Sequence, residues 1–295
     1  MYNAMILPYA AGPMAISGFA WYQGEADTEN ATTAEWYSCL FPQMITAWRT
    51  VFQAPDAFFG FIQLSTWCAL PPASLPQMRE AQMAALALPN VGYATNADHG
   101  MGCNIHPAVK QHIGKRLATS ALALNYGYDV PWKSPTYKSA TTYPPSMAHF
   151  ESAAADAPSM FVSVLVVLSD VSTQGLHTVR PFNWESPNYG QGNPPIVVDC
   201  VGTFPINATT NSSMEQQCAF AALEVDGAGW FNATVTIPEG EPTKLLLTSK
   251  LPADRPPTPA TVVASAYGWG PIPMLSAYDK ATGLPVLPWN KSLVE

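Results

Sequence analysis

The chain has 295 residues and a formal net charge of -8 at pH 7, and only 12% of its residues are charged. With this acidic balance and no cluster of Lys and Arg to neutralise phosphates, a nucleic acid partner is not expected. No run of about 18 apolar residues occurs, so the sequence predicts no membrane-spanning helix, and its length allows two domains that each bury a core.

The first 125 residues alternate apolar, strand-like runs with amphipathic stretches of helical spacing. Residues 1–17 are predicted to form a short helical turn and a loop. Pro42 falls inside the first long helical stretch and predicts either a kink or a new helix start. Such alternation is typical of a parallel sheet covered by helices on both faces. Strands are expected at 18–22, 58–64 and 91–95, and helices at 35–52, 75–88 and 107–125.

The composition changes after Tyr128. Prolines spread among Ser, Thr, Tyr and Ala over residues 129–160 are typical of a linker. Short β-type runs separated by turn residues follow, and they predict a small antiparallel β-sandwich. The domains are therefore expected at 1–128 and 161–295. The predicted strands of the second domain are 161–168, 195–204, 219–225, 230–237, 244–248 and 261–267.

The five cysteines fit no zinc or redox spacing, so no metal site is expected. Cys200 and Cys218 lie near each other in a β-rich segment and can pair in an oxidising compartment. The odd count leaves one cysteine over, either as a free buried thiol or in a disulfide whose partner lies outside this chain.

The chain contains five Asn-x-Ser/Thr tripeptides, which begin at Asn30, Asn207, Asn211, Asn232 and Asn290. Such tripeptides also arise by chance in a Thr-rich chain, but five of them favour a secreted or lumenal glycoprotein. The first residues lack the basic region, long apolar core and cleavage site of a signal peptide. The sequence therefore predicts that an N-terminal segment is missing.

A polar loop follows the first predicted strand and contains Gln23, Gly24 and Glu25. Ligands of open α/β sheets bind at this end of the strands. Gly24 permits a turn or a close backbone approach, and Gln23 and Glu25 supply an amide donor and a carboxylate. His106 follows the third strand at the same predicted edge and is the candidate general base. Asp98 either orients its ring or caps a turn.

Several short blocks resemble, in this order and at these intervals, the sialate O-acetylesterase family of the SGNH hydrolases. They are Tyr2-Asn3-Ala4-Met5-Ile6, Trp21-Tyr22-Gln23-Gly24-Glu25, Gln63-Leu64-Ser65-Thr66, Arg79-Glu80-Ala81-Gln82 and Ile105-His106-Pro107. The resemblance is dense over residues 1–125 and patchy over 126–260. It returns at 266–269 and 284–289, which resemble the family's closing β region.

This resemblance implies an SGNH-type parallel sheet with flanking helices and hydrolysis of O-acetyl esters on sialic acids or related sugars. A serine would be the nucleophile, His106 the base and Gln23 a donor in the oxyanion hole, with no cofactor. Glu25 and Arg79 are candidate substrate-binding residues. A sialic acid carboxylate would need an arginine, for which Arg49 and Arg180 are alternatives to Arg79. The expected partner is an O-acetylated sugar or glycan.

The chain departs from the family pattern in two places. Many SGNH hydrolases have Asp three residues before the histidine, where this chain has Cys103. The third catalytic member is then Asp98, a backbone carbonyl, or absent. The family's Gly-Gln-Ser-Asn-type nucleophile block is also missing, and Ser65 matches a block to which the resemblance assigns no nucleophile. The sequence thus predicts an N-terminally incomplete sheet and a chain that is inactive as written.

Two other functions remain open. One is a secreted, inactive pseudo-esterase or glycan-binding protein that keeps the pocket and the β domain. The other is a different carbohydrate esterase, of the acetyl-xylan type.

Overall fold

The computed structural model describes residues 2–12, 15–68, 73–143, 160–181, 218–252 and 260–293. The chain forms two compact units. The first consists of Met1–Ser65, Ala69–Ala97 and His106–Trp132. The second consists of Thr66–Cys68, Asp98–Ile105 and Lys133–Glu295. Two short loops that are close in sequence to the first unit therefore belong to the second.

The first unit contains a parallel sheet of three strands in the order β1-β2-β3. These are β1 (Gly18–Trp21), β2 (Phe58–Gln63) and β3 (Val91–Thr95). Every residue of β2 and β3 is buried, as expected for apolar runs without polar alternation. The prediction of a parallel sheet is confirmed, with strand bounds that differ by no more than one residue.

The helices of the first unit begin with a π-helical turn, Tyr2–Ile6, that continues into α1 (Leu7–Ala10). The others are α2 (Ala31–Val51), α3 (Ser74–Gln82) and α4 (Gln111–Leu124), and a 3₁₀ turn, Met83–Ala87, follows α3. Within the described ranges, no helix combines the length and apolar character that crossing a membrane requires.

Two helix predictions need correction. Helix α2 starts where the Asn30 side chain accepts a hydrogen bond from Thr33 N, and it runs through Pro42. The predicted new start at Pro42 is therefore wrong, and the alternative, a kink there, stays a prediction. Helix α4 begins at Gln111, so Pro107 does not occupy its first position. The Lys110 ammonium donates to the Pro107 carbonyl. In a helix that began at Pro107, this carbonyl would instead accept from the backbone nitrogen of residue 111.

Aromatic side chains pack α2 onto the sheet. Phe19 and Trp48 have ring centroids 5.4 Å apart, and Phe41 meets Phe61 edge-on at 5.4 Å. At the end of α2, the buried Arg49 donates to the carbonyl of Ala57 at 3.0 and 2.7 Å, and also to the Pro89 carbonyl. Burial lowers the pKa of Arg49, and nearby Asp56 opposes that shift. These contacts hold the helix against the turns that precede β2 and β3.

The second unit contains a seven-stranded antiparallel sheet in the order β14-β11-β8-β9-β10-β5-β4. Two-stranded sheets pair β12 with β7 and β13 with β6. The strands are β4 (Thr136–Tyr143), β5 (Met160–Ser169), β6 (Leu176–Thr178), β7 (Cys218–Ala219), β8 (Ala221–Val225), β9 (Gly229–Thr236), β10 (Lys244–Leu251), β11 (Val262–Tyr267), β12 (Ile272–Pro273), β13 (Ala277–Asp279) and β14 (Trp289–Ser292). A mixed α/β chain with a large antiparallel sheet is thus confirmed, and its sandwich layering stays a prediction.

The sequence did not indicate several of these strands. Strand β4 lies within the residues 129–160 assigned to a linker, and only Ala140 of its side chains is buried. Its Thr and Tyr residues favour an extended edge strand, but they give no apolar run to recognise. The predicted strand 195–204 lies outside the described residues. The domain boundaries at 128 and 161 stay predictions.

The cysteine expectations are partly corrected. Cys68 and Cys103 form a disulfide within the second unit. Cys39 is a free thiol and is exposed on α2, so the expectation of a free buried thiol is wrong for this residue. Cys218 is disulfide-bonded, and its predicted partner, Cys200, lies outside the described residues, so the pairing of these two cysteines stays a prediction.

Candidate active site

The candidate site lies in the first unit, where the parallel strands end. Because β1, β2 and β3 are parallel and in register, the residues that follow them emerge at one edge of the sheet. Tyr22 and Gln23 follow β1, Leu64 and Ser65 follow β2, and Asn96 follows β3. Asn96 N donates to the Gln63 carbonyl at 3.3 Å, so β2 and β3 stay together at this edge.

The amide of Gln23 is held from both ends. Its Nε2 donates to Asp27 Oδ2 at 3.0 Å, and its Oε1 accepts from the Tyr37 hydroxyl at 3.1 Å. The Tyr37 hydroxyl in turn accepts from Trp21 Nε1 at 3.1 Å. An amide nitrogen carries two protons, so one proton of Nε2 remains for a further acceptor. The arrangement is that of an oriented donor at the strand end.

Tyr37 keeps its proton over the whole physiological range. Burial raises the pKa of Tyr37 to about 12, with smaller increases from Asp27 and Glu25 and an opposing effect of the Trp21 hydrogen bond. Because the hydroxyl stays protonated, it continues to donate to Gln23 Oε1 at any pH at which the protein functions. The orientation of the Gln23 amide is therefore independent of pH in this range.

A second network joins Tyr22 to α4. Asn96 Nδ2 donates to the Tyr22 hydroxyl at 2.9 Å, and His112 Nε2 lies 2.9 Å from Asn96 Oδ1. An amide oxygen only accepts hydrogen bonds, so we assign a proton to His112 Nε2. Burial raises the pKa of Tyr22, and hydrogen bonds from Asn96 and Ser65 oppose this shift. His112, which the sequence did not single out, is thus part of the strand-end network.

The two candidate substrate-binding residues lie around Tyr22, since the charges of Glu25 and Arg79 both act on its pKa. Glu25 is half-buried, and its carbonyl accepts from Thr28 N and Oγ1 at 3.1 and 2.7 Å. Arg79 is 2% exposed, and its Nε and Nη2 donate to the carbonyls of Leu64 and Ser65 at 2.8 and 2.7 Å. Burial lowers the pKa of Arg79 to about 9, against an opposing effect of Tyr22.

His106 and Asp98 belong to different units. His106 is exposed and lies in the loop before α4. Asp98 is 1% exposed, accepts a hydrogen bond from the Tyr278 hydroxyl at 3.1 Å, and lies 2.9 Å from His99 Nδ1. The role of Asp98 as an orienter of His106 stays a prediction. Over the described ranges, no group of three or more His, Cys, Asp or Glu side chains is placed to hold a metal ion.

A family model described as carbohydrate esterase, sialic acid-specific acetylesterase, matches residues 1–123. These residues belong to that esterase family. The sialate O-acetylesterases of Mus musculus and Homo sapiens are 33% and 34% identical to the chain over 147 residues. The alignments cover 43% of this chain and 26% and 27% of those proteins. The chain therefore matches about a quarter of the length of its curated relatives.

A solved structure extends the similarity beyond the esterase domain, by which we mean residues 1–123. A carbohydrate acetylesterase from Xanthomonas citri superposes with a TM-score of 0.66 and 23% identity, over 98% of this chain and 53% of that one. At this identity the likeness concerns the fold. It covers the antiparallel strands as well as the parallel sheet, so the described part of the chain has a carbohydrate esterase fold.

Three residues of the esterase domain were missed by sequence reasoning. Tyr37 lies on α2, Asn96 follows β3 and His112 lies on α4. Asn96 could have been identified from the sequence, because it directly follows an apolar run that predicts a strand, and Gln23 was singled out for nearly the same reason. Tyr37 and His112 carried none, since each sits in an amphipathic helix among many other polar residues.

Proposed function

We propose that this protein hydrolyses O-acetyl esters of sialic acids or related sugars. The observation that carries the proposal is the Gln23 amide, held by Tyr37 and Asp27 at the strand edge of the region that matches the acetylesterase family model. A fixed amide donor next to a glycine turn suits the negative charge that develops on an ester carbonyl oxygen. Loss of one such donor typically costs about 2.7 to 4 kcal/mol of transition-state stabilisation.

In the proposed mechanism, His106 removes the proton of a serine nucleophile, the serine oxygen takes the acetyl group, and His106 gives the proton to the leaving sugar oxygen. Water, deprotonated by His106, then attacks the acetyl-serine, and acetate leaves as the serine regains its proton. The exposure of His106 favours this role, because the base must reach a bound substrate. Glu25, which is half-buried, is the candidate for contact with sugar hydroxyls. Arg79 donates to two backbone carbonyls, so its proposed contribution to substrate binding is to shape the strand end around the substrate.

The proposed nucleophile lies outside these 295 residues. No Gly-Gln-Ser-Asn-type block occurs in the sequence, and Ser65 is only 3% exposed, which disfavours attack of its hydroxyl on a sugar ester. We therefore expect the 295-residue polypeptide alone to be inactive or nearly so, because removing the nucleophilic serine of a serine protease lowers kcat by about 10⁶-fold.

The proposed location is secreted or lumenal, and the proposed protein is a glycoprotein. Three acceptor asparagines, Asn30, Asn232 and Asn290, are exposed, which glycosylation requires. Asn207 and Asn211 lie outside the described residues. Digestion of the protein from its native source with a glycan-removing enzyme tests this, and an unchanged mass would contradict it.

The substrate is tested by acetate release from O-acetylated sialic acid and from acetylated xylan, with the complete gene product. Release from the sialic acid at a higher kcat/KM supports the proposal. A preference for xylan would make the protein an acetyl-xylan-type esterase. Glycan binding without any acetate release would make it a pseudo-esterase or a glycan-binding protein.

A further inference from the structure

The loop 98–105 belongs to the second unit, although it follows β3 directly in the chain and leads into His106. Its first residue, Asp98, is a carboxylate that is only 1% exposed. Burying a charged group is unfavourable unless hydrogen bonds compensate for the lost water. The Tyr278 hydroxyl supplies such a bond to Asp98 Oδ2 at 3.1 Å. A side chain from the C-terminal strands therefore anchors the start of this loop.

The loop has further attachments within the second unit. Cys103 is joined to Cys68 by a disulfide, and both cysteines pack against a buried cluster formed by Cys218, Ile272 and Met274. At Gly100 the side chain of Thr66 occupies the space that a Cβ atom would need. These contacts fix the middle and the end of the loop, and the bond to Tyr278 fixes its start.

Tyr278 is itself rigidly placed. It is 3% exposed and lies in β13, where it pairs with His177 of β6. The backbone nitrogens of Ser276 and Ala277, which precede it, donate to the Tyr267 hydroxyl at 2.7 and 2.8 Å. A tyrosine held in this way presents its hydroxyl at a defined point, and a charge-assisted hydrogen bond to a carboxylate is stronger than a neutral one.

We propose that Tyr278 is a positioning residue that holds, through Asp98, the loop leading to His106. The hydroxyl acts on the loop and not on the substrate. Its effect on catalysis rests on the proposed function, because His106 is the proposed base.

The test removes one hydroxyl and follows the loop by hydrogen–deuterium exchange and mass spectrometry. Tyr278→Phe is compared with the wild type and with Ser249→Ala in the full chain. Ser249 is a matched control, because its fully buried hydroxyl donates to the Phe231 carbonyl within the large antiparallel sheet, on a strand other than β13. In Tyr278→Phe we expect the amides of 98–105 to exchange about tenfold faster, since the bond to a charged group is lost. In Ser249→Ala their exchange should match the wild type.

Two exchange results would overturn the proposal. One is unchanged exchange of 98–105 in Tyr278→Phe, and the other is an equal increase in both variants, which would indicate general loosening of the unit. In the complete gene product, the expected kinetic effect of Tyr278→Phe is a lower kcat with an unchanged KM. If exchange changes as expected but the complete wild-type protein releases no acetate, the proposed function fails and the positioning of the loop by Tyr278 stands.

Discussion

The hydrogen bonds of Tyr37 allow a direct estimate of how firmly the Gln23 amide is held. Replacing Tyr37 by Phe removes the hydroxyl that accepts from Trp21 Nε1 and donates to Gln23 Oε1. The ring, which is 6% exposed and packs 5.0 Å from Phe41, is unchanged in shape. A buried polar group left without its partner costs about 1 to 3 kcal/mol. Because Trp21 and Gln23 are both only half-buried, we expect about 1 to 2 kcal/mol.

Urea unfolding of the full chain measures this change, with Tyr126→Phe as the matched control. The Tyr126 side chain is 68% exposed, so losing its hydroxyl should change the free energy of unfolding by less than about 0.5 kcal/mol. In the complete gene product, Tyr37→Phe should also lower kcat about tenfold, since Gln23 keeps its bond to Asp27 but loses one of two restraints. An unfolding free energy equal to that of the control would refute this reading of the hydrogen bonds. An unchanged kcat would refute the link to Gln23.

Two further predictions concern stability. Gly92→Ala should destabilise the protein by about 1 to 3 kcal/mol, because the new Cβ would lie 2.9 Å from Ser120 Oγ. Gly114→Ala should instead stabilise helix α4 by about 0.5 to 1 kcal/mol, because no atom lies within 4 Å of the new Cβ. Equal changes in the free energy of unfolding in urea would contradict the close packing at Gly92. Burial raises the pKa of Asp279, but hydrogen bonds from Ser172 and Thr282 outweigh it and hold the pKa below its usual value. A lowered pKa stabilises the fold above about pH 4 and loses that contribution as pH falls through the folded-state value. Asp279→Asn should therefore lower Tm at pH 7 and flatten its fall between about pH 5 and pH 2, and a Tm profile parallel to the wild type would contradict this.

The parallel sheet was predictable because its strands are apolar throughout. Strands β2 and β3 are buried along their whole length, and their polar residues, Gln63 and Thr95, are the last residue of each strand, so the apolar runs mark the strands clearly. The start of α4 was not predictable, because a proline is as compatible with the first turn of a helix as with the loop that the Lys110 side chain holds in place. Local preference alone does not separate these outcomes.

Only those residues of the candidate site that directly follow one predicted strand could be predicted from the sequence. Gln23 could be singled out because it follows an apolar run at the end where ligands bind. Its partner Tyr37 is 14 residues away, and Asn96 is 74 residues from Tyr22. Such contacts depend on how the helix and strands pack, which the spacing of residues in one element does not encode.

The attachment of loop 98–105 to the second unit is the least predictable feature. Asp98 and Tyr278 are 180 residues apart, and the sequence offered only that Asp98 either orients His106 or caps a turn. The pairing of Cys68 with Cys103 was likewise hidden, because their separation of 35 residues fits no disulfide or metal spacing. The bond between Asp98 and Tyr278 forms only when a C-terminal strand packs against this loop.

Acetate release from O-acetylated sialic acid by the complete gene product tests the proposed roles of His106 and Gln23, when His106→Ala and Gln23→Ala are compared with Lys115→Ala. Lys115 is exposed on α4 and serves as the control. We expect the control to keep the wild-type kcat/KM, His106→Ala to lower it at least about 10²-fold, and Gln23→Ala to lower it about 10² to 10³-fold. A complete wild-type enzyme that is active while its His106→Ala variant is equally active would contradict the account.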